Sequence, residues 1–321
     1  MSFQEKNIAF IEEKIAEVQF PTQPENLYDP LRYFLTLGGK RIRPLLTLLA
    51  GEICGVSKEN SIHAGLAIEW FHNFSLIHDD IMDQAPLRRK LPTIHEKWNS
   101  NIAILSGDVL LMHAFEQINV YPPETYKKLS SYLIKTSIEV CIGQQMDMDF
   151  EREDHIDEAD YIEMIRLKTS VLLGCACAFG GILAKKEQET IDLLYVFGEQ
   201  LGITFQIQDD LLDAFGDPEK FGKQIGGDIL CDKKTLLVTA FEALSNESQK
   251  ESYKNLKQEV NPAIKIEKIK SLFTSCGVIE YCQATQKKYH SRAEQTLATL
   301  SNVLDTTELQ SLLDYLFSRE T

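Results

Sequence analysis

Proline is scarce in this 321-residue chain, with 10 in all and none between Pro123 and Pro218. So long an interval, rich in Leu, Ile, Ala, Glu and Lys, argues against a fold of many short strands and turns and predicts an all-α protein. Paired cysteines are also missing: the seven cysteines are an odd number and contain no Cys-x-x-Cys. The first residues show no charged n-region followed by an apolar h-region, so reduced thiols, no disulfide framework and a cytoplasmic setting are expected. Positive charge is in deficit, with 33 basic against 48 acidic residues and a net charge of -15. That balance disfavours nucleic acid or an anionic membrane surface as the general partner. Long hydrophobic runs are absent too. The longest uncharged, mostly apolar stretch is Val171 to Ala184, 14 residues closed by Lys185 and Lys186, against the roughly 20 needed to span a bilayer. No transmembrane segment is expected, and this stretch reads as a buried helix.

What is present points to one helical body. An apolar content of 44% supports an extended core. No fixed-length repeat, low-complexity tract or Pro/Ser-rich linker divides the chain, so residues 1–321 read as a single domain with an N-terminal helix over about residues 3–20. Within that helix Ile8, Ile11, Ile15 and Val18 recur at helical spacing. Helices are further predicted from about Ser57 to Gln84, Asn101 to Phe115, Glu124 to Phe150 and Glu187 to Phe215.

Two acidic triplets organise the chemistry. Asp79, Asp80 and Asp83 lie in the last turns of the predicted Ser57–Gln84 helix, and Asp209, Asp210 and Asp213 repeat the spacing in the Glu187–Phe215 helix. Acids at i,i+3 and i,i+4 crowd like charges on one helical patch, which destabilises a helix without a counter-ion. Carboxylate oxygens suit a hard cation such as Mg2+, which keeps positions for water and substrate phosphate. One triplet alone would also fit a solvated acidic face. Two copies, each ending a long apolar helix and each followed by bases, favour divalent metal plus phosphate.

Basic clusters stand out against the acidic background: Lys40/Arg41/Arg43 after Gly38-Gly39, Arg88/Arg89/Lys90, and Lys233/Lys234. Pro44 fits the first position of a helix, where acids rather than bases are usual. Three cations beside close-approaching glycines suggest a bound anion, although a solvated basic turn also fits that stretch alone. Gln144 and Asp147 are i,i+3 and can act together, and Lys168 and Thr169 stand at the entry to an apolar segment, where a charge is usually paired or functional. Glu69 and His72 form one Glu-x-x-His; a di-iron bundle needs two such pairs, and the chain offers one. His78, His95 and His113 read as structural, and Cys175 and Cys177 as core.

With these residues laid out, the chain resembles the trans-isoprenyl diphosphate synthases, or polyprenyl synthetases, from about Leu27 onward. The signals come in order: Gly38-Gly39-Lys40-Arg41-Ile42-Arg43-Pro44; the first Asp motif with Arg88-Arg89; Gly143-Gln144-x-x-Asp147; Lys168-Thr169; Phe205-Gln206-x-x-Asp209-Asp210-x-x-Asp213; and Gly222-Lys223 through Asp228 to Lys233. Lys90 departs from the pattern, standing where many relatives have Gly.

The resemblance implies a single all-α bundle around a deep central cavity and a homodimer. It implies that Asp79 and Asp83, with Asp209 opposite, ligate three Mg2+ ions, with Asp80, Asp210 and Asp213 in supporting roles. Arg88, Lys168, Lys223 and Lys233 would bind the allylic diphosphate; Gly39, Lys40, Arg43, His72 and Arg89 would bind isopentenyl diphosphate. Thr169 and Gln206 would stabilise an allylic cation, so that ionisation, condensation and elimination follow in turn. Product length would be set just before the first motif, by Phe71, Phe74 and Ser75. At about 1.5 Å per residue, Phe74 lies roughly 7.5 Å and Phe71 about 12 Å along the axis from Asp79. A bulky residue five before the motif with a small one four before is most similar to enzymes making geranylgeranyl diphosphate, with farnesyl diphosphate next. From other classes, a terpene synthase has less need of a second diphosphate site, and a noncatalytic metal-binding helical protein has no reason to keep Lys168, Gln206 and Lys223.

Overall fold

The computed structural model describes residues 3–216 and 226–317; Lys223 lies outside them. The all-α expectation holds, with 78% of the chain helical. Helices run as α1 (Phe3–Ala16), α2 (Glu25–Thr36), α3 (Ile42–Ile53), α4 (Lys58–Met82), α5 (Ile94–Lys97), α6 (Ser100–Ile118), α7 (Pro123–Phe150), α8 (Glu158–Ile165), α9 (Val171–Leu183) and α10 (Gln188–Phe215). Further helices follow at Gly227–Leu230, Leu236–Leu244, Glu247–Lys257, Pro262–Ser275, Val278–Leu300 and Thr307–Phe317. The N-terminal helix stops at Ala16, earlier than expected.

The residues group into two compact units, each discontinuous in sequence. One comprises Met1–Lys135 with Leu172–Tyr195, the other Thr136–Val171 with Val196–Thr321. In the first, α4 packs against α3 and α6. Trp70 and Phe71 of α4 are fully buried, as are Leu46, Leu48 and Leu49 of α3. Gly65 permits the contact with α3, since a Cβ there would lie 3.1 Å from Leu48 Cδ1 and 3.4 Å from Pro44 Cβ. The α4 helix ends at Met82, and the chain reverses at Gln84, whose φ is 50°.

A feature with no advance signal comes next. Leu87–Arg88 pairs antiparallel with Leu91–Pro92, closing a hairpin over Arg89 (φ 52°) and Lys90 (φ 67°). Two central residues with positive φ define a type I′ turn, which matches the twist of the flanking strands and favours Gly or Asn. Lys90 thus occupies a position where glycine would be unstrained.

In the second unit Tyr161, Ile165, Ile207, Leu211, Leu237, Phe241, Phe273 and Val278 form the core. Between α8 and α9, residues Arg166–Ser170 make one π turn, with Val171 N donating to Arg166 O. Because helix continues through that turn, Glu158–Leu183 is a 26-residue stretch containing an 18-residue window of mean hydropathy 1.4, long and apolar enough to cross a bilayer. The 14-residue run expected to fall short is therefore part of a longer helix. Its apolar window is 83% buried inside the protein, which is the environment of a core helix.

Candidate active site

The first acidic motif sits at the C-terminal end of α4, where Asp83 is the C-cap residue. Helical periodicity separates its members. Asp80 is 2% exposed, while Asp79 is half-buried and Asp83 exposed. Arg88, carried by the hairpin, grips Asp80: its Nε lies 2.9 and 2.8 Å from the two carboxylate oxygens and its Nη2 lies 2.8 Å from Oδ1. The same Nη2 is 3.7 Å from Asp79 Oδ2. Burial raises the Asp80 pKa, and Arg88 opposes that shift by stabilising the carboxylate. The hairpin therefore has a chemical purpose, because it returns a cation to the helix that has just ended.

The basic residues after Gly38 divide into two kinds. Arg41 is 3% exposed and turned inward: its Nη1 donates to Glu69 Oε1 at 2.5 Å and its Nε to Glu12 Oε1 at 2.8 Å. It is a structural ion pair, which corrects its grouping with the possible anion ligands. The pairing also uses Glu69, and His72 Nε2 lies 3.1 Å from Arg43 Nη1. Both members of the lone Glu-x-x-His are thus held by arginines, and the di-iron alternative has no ligands left here.

Arg43 and Arg89 belong to the other kind. A Cβ on Gly39 would lie 3.1 Å from both terminal nitrogens of Arg89 and 3.2 Å from Arg41 Nη1, so a side chain there would have to shift the guanidinium by a few tenths of an ångström. Burial, followed by Arg43, Arg88, Arg89 and Arg41, drives the His72 pKa well below its usual value. The ring is neutral at pH 7 and accepts from Arg43. Desolvation and then Arg41 and Arg88 also lower the Arg89 pKa. Cations that crowd a buried neutral histidine in this way leave positive charge that an anion could offset. Lys40 is exposed at the edge of this stretch.

Upstream on α4, Phe71 is fully buried and Phe74 half-buried, their rings 5.6 Å apart. Phe74 also meets the His78 ring edge-on at 4.7 Å. His78 Nε2 lies 3.2 Å from Ile104 O of α6, an approach that Gly107 permits because a Cβ there would fall 2.4 Å from that nitrogen. Ser75 Oγ donates to His72 O at 2.8 Å.

In the second unit the second motif occupies the end of α10. Asp210 is 5% exposed and held entirely by protein donors. Tyr161 OH donates to Oδ2 at 2.6 Å, Gln206 Nε2 to Oδ1 at 3.0 Å and Leu236 N to Oδ2 at 3.4 Å. Burial, then Asp228, pushes its pKa up to about 7, against these hydrogen bonds. Asp209 is half-buried. Asp213 Oδ2 accepts from Asp228 N at 3.0 Å at the start of the Gly227–Leu230 helix, and Asp213, Asp228 and Lys233 line one small cavity. Lys168 Nζ donates to Asp147 Oδ2 at 2.6 Å, and Thr169 Oγ1 donates to Gln206 Oε1 at 3.2 Å. Gln144 Nε2 is buried with no hydrogen-bond partner among the described residues. Tyr161 was missed from sequence, because nothing local marks a tyrosine 49 residues before the acid it serves.

The chain is all-α with two carboxylate motifs and a group of neighbouring arginines, and its similarity to known proteins shows its family. The polyprenyl synthetase family profile matches residues 24–274. The geranylgeranyl pyrophosphate synthase of Geoglobus acetivorans is 39% identical over 312 residues, covering 97% of this chain and 96% of that one. A geranylfarnesyl diphosphate synthase of Aeropyrum pernix is 34% identical, covering 92% and 95%. The crystal structure of a geranylgeranyl pyrophosphate synthetase from Pyrococcus horikoshii superposes with a TM-score of 0.90 at 34% identity, covering 99% and 100%. The chain belongs to the polyprenyl synthetase family and is a trans-prenyltransferase. The family binds diphosphate through divalent metal.

Proposed function

We propose that this enzyme condenses isopentenyl diphosphate with allylic diphosphates in a Mg2+-dependent reaction and releases diphosphate, with geranylgeranyl diphosphate as its C20 product. One observation carries the choice within the prenyl-transferring class. The cluster of Arg43, Arg89 and neutral His72 beside Gly39 supports a second diphosphate site, separate from the carboxylates, which a terpene synthase does not require.

Asp79, Asp83 and Asp209 would hold the metal, three ions with substrate bound, because each is at least partly exposed and carboxylate oxygens suit a hard dication. When bound, Mg2+ supplies Lewis-acid charge to the departing diphosphate oxygens. Asp80 and Asp210, each committed to protein donors, orient their motifs from behind. Lys168, steadied by Asp147, and Arg88, steadied by Asp80, meet the allylic diphosphate charge, with Lys233 and Lys223 completing that set. Arg43, Arg89 and Lys40 grip isopentenyl diphosphate, for which planar guanidinium forks suit paired phosphate oxygens. The Thr169 hydroxyl and Gln206 amide oxygen offer negative partial charge to the allylic cation formed on ionisation. The isopentenyl double bond then attacks that cation, and the proton lost at the end passes to the released diphosphate.

The C20 assignment is supported by the named relatives and by Phe74, which keeps surface for a prenyl tail while Phe71 backs it from the core. The C15 product is the alternative on sequence grounds, and the Aeropyrum pernix relative points instead to C25. A cytoplasmic homodimer is proposed as well. Exposed Ile104, Leu105 and Met112 on α6 and Ile134, Ile138 and Ile142 on α7 offer apolar faces to a second copy. The interleaving of the two units along the sequence supports residues 1–321 as one domain.

The test is incubation with isopentenyl diphosphate, Mg2+ and each of the C5, C10 and C15 allylic diphosphates, with product sizing. Chain extension to C20 that is lost in Asp79→Ala with helicity intact is expected. Metal-dependent turnover at the normal rate in Asp79→Ala would sink the assignment.

A further inference from the structure

The π turn at Arg166–Ser170 lies between two glycines of the same unit. From α7, a Cβ on Gly143 would sit 2.2 Å from Lys168 N and 2.7 Å from both Leu167 C and Lys168 Cα. From α10, a Cβ on Gly202 would sit 2.6 Å from Ser170 Cα, 2.7 Å from its Cβ and 2.8 Å from its Oγ. Most of these neighbours are backbone, so a side chain at either position must push the turn itself. Both glycines are inside long helices, where Gly is less favourable than Ala. Neither has a positive φ. Conformational freedom is not their purpose; close approach is.

The same spacing holds on both sides. Four residues after Gly143, Asp147 accepts from Lys168; four residues after Gly202, Gln206 accepts from Thr169. Each helix thus admits the turn at a glycine and catches its side chain one helical turn later. The turn is also tied from within, because Ser170 Oγ donates to Ile165 O at 3.2 Å. An isolated π turn puts consecutive side chains in directions a regular helix cannot reach, and such turns are common at functional sites.

We propose that Gly143 and Gly202 are positioning residues that clamp this π turn and thereby aim Lys168 at the allylic diphosphate and Thr169 at the reacting carbon. The inference rests on the function proposed above. Moving the turn by the ~1 Å that a new Cβ demands should lower kcat on the order of 100-fold.

The experiment compares Gly143→Ala, Gly202→Ala and Ser170→Ala with the full-length wild type, by kcat, by the KM of each substrate, and by Mg2+-dependent binding of inorganic pyrophosphate. Ser170→Ala keeps the backbone and loosens the turn, so it answers even where a glycine variant does not fold. The expected result is a fall in kcat in every folded variant, largest for Gly143→Ala, with a raised allylic KM, weaker pyrophosphate binding and an unchanged isopentenyl diphosphate KM. Wild-type kcat and pyrophosphate binding in the folded variants would overturn the clamp. So would a loss that merely tracks the folded fraction and leaves both KM values unchanged. An inert wild type would instead overturn the proposed reaction, and pyrophosphate binding would still report on the clamp.

Discussion

Replacing Arg41 by Met tests the assignment of this arginine to structure rather than to substrate. Its side chain is 1% exposed and that of Glu69 is 4% exposed, with 2.5 Å between them. Burial alone would lower the Arg41 pKa, but the carboxylates of Glu69 and Glu12 outweigh it and the net shift is upward. Removing the cation strands Glu69 as an uncompensated buried charge, a change that costs about 3–5 kcal/mol. Glu12 contributes far less. Its side chain is 43% exposed, so Glu12→Gln should cost under about 1 kcal/mol. The left-handed φ of 51° at Arg41 is unaffected, since Met and Arg have the same branching at Cβ. Urea unfolding should therefore show a large loss in Arg41→Met and recovery of most of it in Arg41→Met/Glu69→Leu. The loss should also shrink on acidification, because protonation removes the stranded buried charge. The double variant should retain the wild-type KM for isopentenyl diphosphate. Arg41→Met within about 1 kcal/mol of wild type would refute the buried-pair argument. A tenfold rise in that KM in the stable double variant would return Arg41 to the anion site.

Two further outcomes can be measured. Lys90→Gly removes a side chain from the second left-handed position of the hairpin turn and should stabilise by about 1 kcal/mol at most, a rise of about 2 °C in thermal unfolding; a lower Tm would show that Lys90 makes a contact worth more than the strain. Phe74→Ala should lengthen the product and Ser75→Phe should shorten it. Unchanged product sizes in both variants would place the floor of the cavity elsewhere.

Much was legible without coordinates because it depends on local rules. The all-α class follows from proline scarcity and apolar periodicity, and most helix limits were foreseen to within a few residues because caps and breakers act locally. The two acidic motifs stood out because like charges at i,i+3 and i,i+4 destabilise a helix without a counter-ion, and because the pattern occurs twice. The hairpin was not legible, since Arg89 and Lys90 are poor choices for a type I′ turn and Pro86 reads only as a helix stop.

The sequence by itself determined that the chain is helical, that it carries two acidic motifs, and that its glycine- and base-rich stretches match one enzyme family. Only the tertiary structure separated residues of like chemistry. Arg41 turns inward to Glu69, 28 residues away, while Arg43 meets His72. Asp210 is enclosed by Tyr161, 49 residues away, while its neighbour Asp209 remains half-buried. The physical reason is the same in each case. Charge and spacing along a chain announce that an ion or a partner is needed, but burial and the donor that satisfies it come from segments distant in sequence, and those contacts exist only after the helices have packed.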